Sequence, residues 1–204
     1  MIKFGNFVIK DNNSWLGESS SPGPTPPTPV LPANTVRVRT SDGNAPQHHS
    51  STYETATLVA GTSDVYDVYK SGTSFTKLLY QSLNVVEVLD ANTTNITFMS
   101  QMFQECDALT SVNLFDTSNV TSMSEMFASC RSLTSIPLFD TSSVTSMKYM
   151  FYNCYNVESG ALALYQQASS QTTPPSSHSN TFYQCGINTV TGTAELAQIP
   201  SDWK

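Results

Sequence analysis

The chain reads as an α/β solenoid of 24-residue coils, each with a short parallel strand and a short helix. A small β-rich cap and an extended anchor and linker precede it. Three observations lead there. Residues 107–130, DALTSVNLFDTSNVTSMSEMFASC, recur as residues 131–154, RSLTSIPLFDTSSVTSMKYMFYNC. Self-similarity at one period marks units that cannot bury an apolar face alone and must stack to share a core. The segments LTSVNL and LTSIPL predict one short strand per coil, with Leu109, Val112 and Leu114 inward in one, and Leu133, Ile136 and Leu138 in the next. Met123, Met126 and Phe127 have the i, i+3, i+4 spacing of one helical face, and six of the seven methionines fall on that face. At such spacing a methionine stripe is core packing rather than a cofactor box.

The repeat continues beyond the two clear copies. One period earlier, Val85, Val88, Asn95, Ile96, Met99, Met102, Phe103 and Cys106 take the places of Leu109, Val112, Asn119, Val120, Met123, Met126, Phe127 and Cys130. Phe75 to Ser82 forms a degenerate first copy. The last copy is seven residues longer and reaches Phe182 and Cys185. Phe103, Phe127, Phe151 and Phe182 thus share one position, and Cys106, Cys130, Cys154 and Cys185 another; both rows are expected to ladder through the core. Buried thiols pack as small hydrophobes. Free cysteines are therefore the expectation, with disulfides between neighbouring coils the alternative.

Residues 1–19 form the predicted anchor. Gly5-Asn6 between Phe4 and Phe7 suits a two-residue hairpin turn. A lone hairpin this short is unstable in water. Phe4, Phe7, Ile9, Trp15 and Leu16 therefore need a cover, supplied by a partner or by the chain's own body. Residues 1–10 lack the long apolar stretch and cleavage site of a signal peptide. Residues 20–33 carry six of the eleven prolines and read as a polyproline II linker, able to separate its flanks by about 40 Å. Residues 34–70 read as the β-rich cap: Val36 and Val38 alternate with Arg37 and Arg39, and two further short strands follow. Residues 71–204 are the repeats with a C-terminal cap, in which Trp203 is expected to plug the core.

Composition excludes several functions. Charged residues are 12% of the chain and the net charge is −7, so the cationic footprint of nucleic-acid or anionic-membrane binding is missing. No apolar run approaches a membrane span. His48-His49 invites a metal reading, but without a third ligand nearby a solvated loop is expected; His178 reads as a loop residue. Asp116 and Asp140 share a repeat position, which points to turn chemistry, with a cation ladder as the alternative. Asn92 and Asn119 open N-x-T triplets, read as accidents of repeat composition. No motif pairs a nucleophile with a base, so no enzyme, cofactor or metal is expected.

The run FDTSNVTSMSEMFASCRSLTSIPLFDTS resembles the BspA-like leucine-rich repeats of bacterial surface proteins, over about residues 71–185. The resemblance implies a leucine-rich-repeat-like solenoid used for binding and adhesion. The chain also departs from that family, whose members are usually exported. A short anchor, a Pro-rich linker and a compact module together resemble a fibre or decoration protein of a tailed bacteriophage. On that reading residues 1–19 hold another virion protein, the repeats contact a host surface protein or glycan, and a trimer is one arrangement open to the chain. A bacterial cell-surface or secreted adhesin, and a spacer without ligand, are the alternatives. The expected binding face comprises Val86, Glu87 and Leu89; Thr110, Ser111 and Asn113; and Thr134, Ser135 and Pro137. Rows of hydroxyls and amides suit a carbohydrate or polar protein surface, or are plain solvated surface.

Overall fold

The computed structural model describes residues 2–4, 7–10, 14–17, 30–47 and 50–204. It divides into two compact units, Met1–Val30 and Leu31–Lys204. In the first, strands β1 (Ile2–Phe4), β2 (Phe7–Lys10) and β3 (Ser14–Gly17) form an antiparallel sheet in the order β1-β2-β3. Phe4 pairs with Phe7 in register, Val8 with Leu16 and Ile9 with Trp15. The five expected anchor residues thus all lie in these strands, and the element is a three-stranded sheet rather than a lone hairpin. The Gly5-Asn6 turn, residues 18–29 of the linker region and His48-His49 lie outside the described residues.

The second unit opens with a five-stranded mixed sheet. Its strands are β4 (Thr35–Thr40), β5 (Thr55–Leu58), β6 (Val65–Tyr69), β7 (Val85–Asn92) and β8 (Ser111–Val112), in the order β5-β6-β4-β7-β8. All neighbours are antiparallel except β7 and β8. On β4 the alternation predicted from sequence sets Val36 and Val38 into the core. Arg37 holds Asp67 through two bonds of 2.7 and 2.9 Å, and Arg39 holds Glu87 at 2.6 Å. Because β4 pairs with β7, the β-rich segment and the first coil share one sheet.

The expectation of an α/β solenoid is overturned. The unit is mostly β, and among the described residues its α-helices are two short ones, α1 (Ala161–Ser169) and α2 (Val190–Gln198), both outside the regular coils. The methionine-rich segment expected to be helical is instead a ribbon of turns. In the coil of residues 121–144, Met126 N–H bonds Met123 O, Ala128 N–H bonds Glu125 O and Cys130 N–H bonds Phe127 O, all i to i−3. Glu125 and Ser129 take φ of 58° and 62°. A three-residue step with a positive φ before its last residue is the geometry of a type II turn, not of an α-helix. The intervening amides reach the next coil: Met123 to Ser146 O, Glu125 to Lys148 O, Phe127 to Met150 O and Ser129 to Tyr152 O, at 2.7–2.9 Å.

Each coil before the last repeats this scheme. The left-handed residues fall in two rows: Lys77, Gln101, Glu125, Tyr149 and Asn180; then Gln81, Glu105, Ser129, Asn153 and Gln184. Single parallel bridges connect Ser74, Phe98, Ser122, Ser146 and Ser177 in succession. A segment this short is a marginal helix by itself, and a stacked neighbour offers its amides partners that a helix would take internally.

The strand expectation needs correction at its ends. Leu114 and Leu138 point outward, 62% and 52% exposed, whereas the following Phe115 and Phe139 are 6% and 0% exposed. Strand β8 lasts two residues, and in the next coil Ser135 makes one bridge to Ser159. The chain turns before the period-two alternation reaches the leucine, and the larger phenylalanine takes the interior, where it removes more apolar area from water.

Aromatic rings run through the core. Phe103 stacks on Phe127 and Phe127 on Phe151 at 5.3 Å, and Phe151 on Phe182 at 6.0 Å, with planes within 12°. Trp203, buried, stacks on Phe182 at 6.3 Å and closes the column. At this end Gly192 packs so closely on the Val157 carbonyl that a Cβ would collide with it.

Candidate functional site

The residues expected to form a binding face are largely engaged in holding the coils together. The Thr110 hydroxyl donates to Val86 O at 2.9 Å and Thr134 to Thr110 O at 3.1 Å. Asn113 Nδ2 donates to Leu89 O at 2.9 Å. Glu87 is paired with Arg39, and Ser111 and Ser135 sit in backbone pairings. A second row behaves alike: Thr97, Thr121 and Thr145 each donate to the threonine carbonyl one coil back, at 3.0–3.3 Å. Where the same residue recurs on the same partner, the row is a joint of the stack.

Asp116 and Asp140 line a shallow groove of about 390 Å³ with Leu114, Phe115, Thr117 and Leu138. Asp116 Oδ1 accepts from Ser118 N–H at 2.9 Å and Asp140 Oδ1 from Ser142 N–H at 2.8 Å, so both close local turns. The Ser118 backbone amide, then its hydroxyl, hold the Asp116 carboxyl below the ordinary range. Among the described residues no group of three His, Cys, Asp or Glu side chains is placed to hold a metal.

Cys106, Cys130, Cys154 and Cys185 are free and buried. The thiols of the first three donate to Leu79 O, Phe103 O and Phe127 O at 3.0–3.1 Å. Burial pushes Cys106 and Cys154 up to about 12 and raises Cys130 and Cys185 as well. Thiols so far from ionising are poor nucleophiles and poor metal ligands at neutral pH. His178 belongs to the cap: its Nδ1 lies 2.8 Å from Pro175 O and its ring stacks on Trp203 at 4.3 Å.

The face that no sequence motif marks is the outside of the turn ribbon. Here the backbone repeats and the side chains do not. One row runs Lys77, Gln101, Glu125, Tyr149, Asn180; another runs Tyr80, Gln104, Ala128, Tyr152, Tyr183. At its N-terminal end the side chains satisfy one another. Gln81 Nε2 donates to Glu105 at 2.9 Å, and Gln101 and Gln104 both donate to Glu125 at 3.1 Å. Tyr80 Oη lies 3.4 Å from Glu105. At its C-terminal end the ribbon carries aromatic rings instead. Tyr152 stacks on Tyr183 at 5.1 Å, Tyr149 meets Tyr152 edge to face at 5.4 Å, and Lys148 Nζ lies 5.0 Å from the Tyr149 ring centre. The signal for this face lies in the alignment of the copies: between residues 107–130 and 131–154 the ribbon changes at Ser124, Glu125, Ala128 and Ser129, while Met123, Met126, Phe127 and Cys130 recur.

No helix among the described residues is long and apolar enough to cross a membrane. Comparison with curated proteins and with solved structures yielded no match. A family profile described as "Mycoplasma protein of unknown function, DUF285" matches residues 64–185, in keeping with the BspA-like repeat. That match spans more than half of the chain and takes in the sheet's last antiparallel strands, the regular coils and the cysteine ladder, and the chain belongs to this family.

Proposed function

We propose that this protein is a non-enzymatic binding module, displayed on a larger assembly and engaging its ligand through the turn ribbon. One observation carries the reading: on this face a constant backbone presents side chains that differ from coil to coil, while the repeated polar rows are tied up within the stack. A stack of repeats offers an extended surface of this kind. The family match and the BspA-like repeat favour display at a bacterial surface, with adhesion to a host protein or glycan as the activity. The three-stranded N-terminal unit, compact in its own right, suits an anchoring role.

The test uses labelled full-length chain on epithelial cells. Replacing Tyr149, Tyr152 and Tyr183 together with glutamine is expected to abolish capture. Replacing Thr110 and Thr134 with valine is expected to preserve it in the folded fraction. Capture that survives the first set and fails with the second would return the binding face to the sheet side. No capture at all would sink the adhesion reading. A virion reading is supported by architecture alone, with residues 1–19 held by another virion protein. Copurification of the full chain with capsid or tail proteins, lost on removal of residues 1–30, would put it first.

A further inference from the structure

We propose that Lys148, Tyr149, Tyr152 and Tyr183 form a site for an anionic carbohydrate, a sugar bearing a carboxylate or sulfate; this rests on the ribbon being the binding face. Two Lys–Tyr pairs occur on the ribbon, and their surroundings differ. Lys77 lies 5.0 Å from the Tyr80 ring centre, and the Tyr80 hydroxyl lies beside Glu105. Lys148 lies at the same distance from Tyr149; the carboxylate of Glu125, one coil back, is taken by Gln101 and Gln104 instead. Among the described residues Lys148 makes no ion pair. In a chain of net charge −7, an exposed cation with no carboxylate partner is a local acceptor for an anion.

The rest of the cluster is suited to a sugar ring. The stacked pair Tyr152–Tyr183 and the perpendicular Tyr149 make an aromatic corner, with Tyr183 38% exposed. Aromatic rings pack against the C–H face of a sugar as they do against other apolar groups, and each phenol adds a polar tip. The three hydroxyls have no hydrogen-bond partner among the described residues, unlike that of Tyr80. A shallow surface with unused hydroxyls and one cation fits a polyhydroxylated anion better than an apolar peptide. Among the exposed apolar side chains that such a peptide would seek, Leu114 and Leu138 belong to other rows of the coil.

Full-length chain is titrated by calorimetry with 3′-sialyllactose, with a sulfated heparin disaccharide, and with lactose as the uncharged reference; tyrosine ring signals are followed by NMR. At least one acidic sugar should bind about tenfold more tightly than lactose, a difference of the size one ion pair and its hydrogen bonds provide. Which of the two binds separates carboxylate from sulfate recognition. Lys148→Gln should remove the preference. Tyr152→Phe with Tyr183→Phe keeps the rings and the fold and should weaken every sugar. Equal binding of lactose and the acidic sugars, unmoved by Lys148→Gln, overturns the anion assignment. No saturable binding of any of the three overturns the site. Capture on cells that persists without sugar binding, and that is lost with the tyrosines, overturns the sugar assignment in favour of a protein partner and leaves the binding-module reading standing.

Discussion

The threonine rows and the turn ribbon run through the same coils and do opposite things with repetition. At Thr97, Thr121 and Thr145 the side chain recurs because its hydroxyl must meet the carbonyl of the coil before it. At Lys77, Gln101, Glu125, Tyr149 and Asn180 the backbone recurs, left-handed each time, and the side chain is free to change. The first set is fixed by the stack, and the second is not. Between these rows, the repeated hydroxyl marks a joint of the stack and the changing side chain does not. Thr110 and Thr134, expected on a binding face, belong to the joints by their hydrogen bonds.

The comparison can be broken most forcefully in the core that both sets share. Phe127 lies between Phe103 and Phe151, so Phe127→Ala should cost about 3–5 kcal/mol in a urea titration. A loss below about 1 kcal/mol would mean that the ring column does not carry the stack. Next come the joints. Thr117 is buried and donates to Asp140 O at 2.8 Å; Thr117→Val keeps its shape and should cost about 1–3 kcal/mol by leaving that carbonyl without its side-chain donor.

The ribbon sharpens the comparison with changes of sign. Ser129 holds φ of 62°, where a side chain is strained and glycine is not. Ser129→Gly should be stabilising by up to about 1 kcal/mol, and Ser129→Val destabilising by more than that. If both destabilise equally, the left-handed turn is not what the position requires. The thiols give a kinetic test: in native protein at pH 8 none should react with a thiol reagent, and in denaturant all four should.

The smallest effect concerns pH. The folded-state carboxyl of Asp116 lies below its unfolded value, so its contribution to stability is present above pH about 4 and fades as the pH falls through the lowered value. Asp116→Asn should therefore flatten the acid limb of the stability profile slightly and leave stability at pH 7 to 8 without a slope. A new slope at neutral pH would show that another group titrates there.

Much of the core is legible in the chain itself. The copies align Phe103 with Phe127, Phe151 and Phe182, and the cysteines with one another, so the buried rows follow from register. The β4 alternation and the outward arginines follow from period two. Two expectations fail for physical reasons. Met123, Met126 and Phe127 have helical spacing, yet a ribbon of four-residue turns returns side chains to one face at nearly the same interval. Leu114 and Leu138 read as inward only if the strand runs past Val112 and Ile136, and the chain turns there instead. The ribbon face is hard to see in the sequence because its side chains change from copy to copy, while the joints beside it repeat.

A short apolar pattern therefore says which residues are buried and how often, and that much belongs to the sequence, since burial depends on each side chain's own affinity for water. Whether the backbone between them coils into a helix or into a ribbon of turns depends on where its amides find partners. Here Met123, Glu125, Phe127 and Ser129 find theirs on the next coil. A hydrogen bond between residues a full period apart cannot be read from a window of nine, so the stacking of the coils decides the choice.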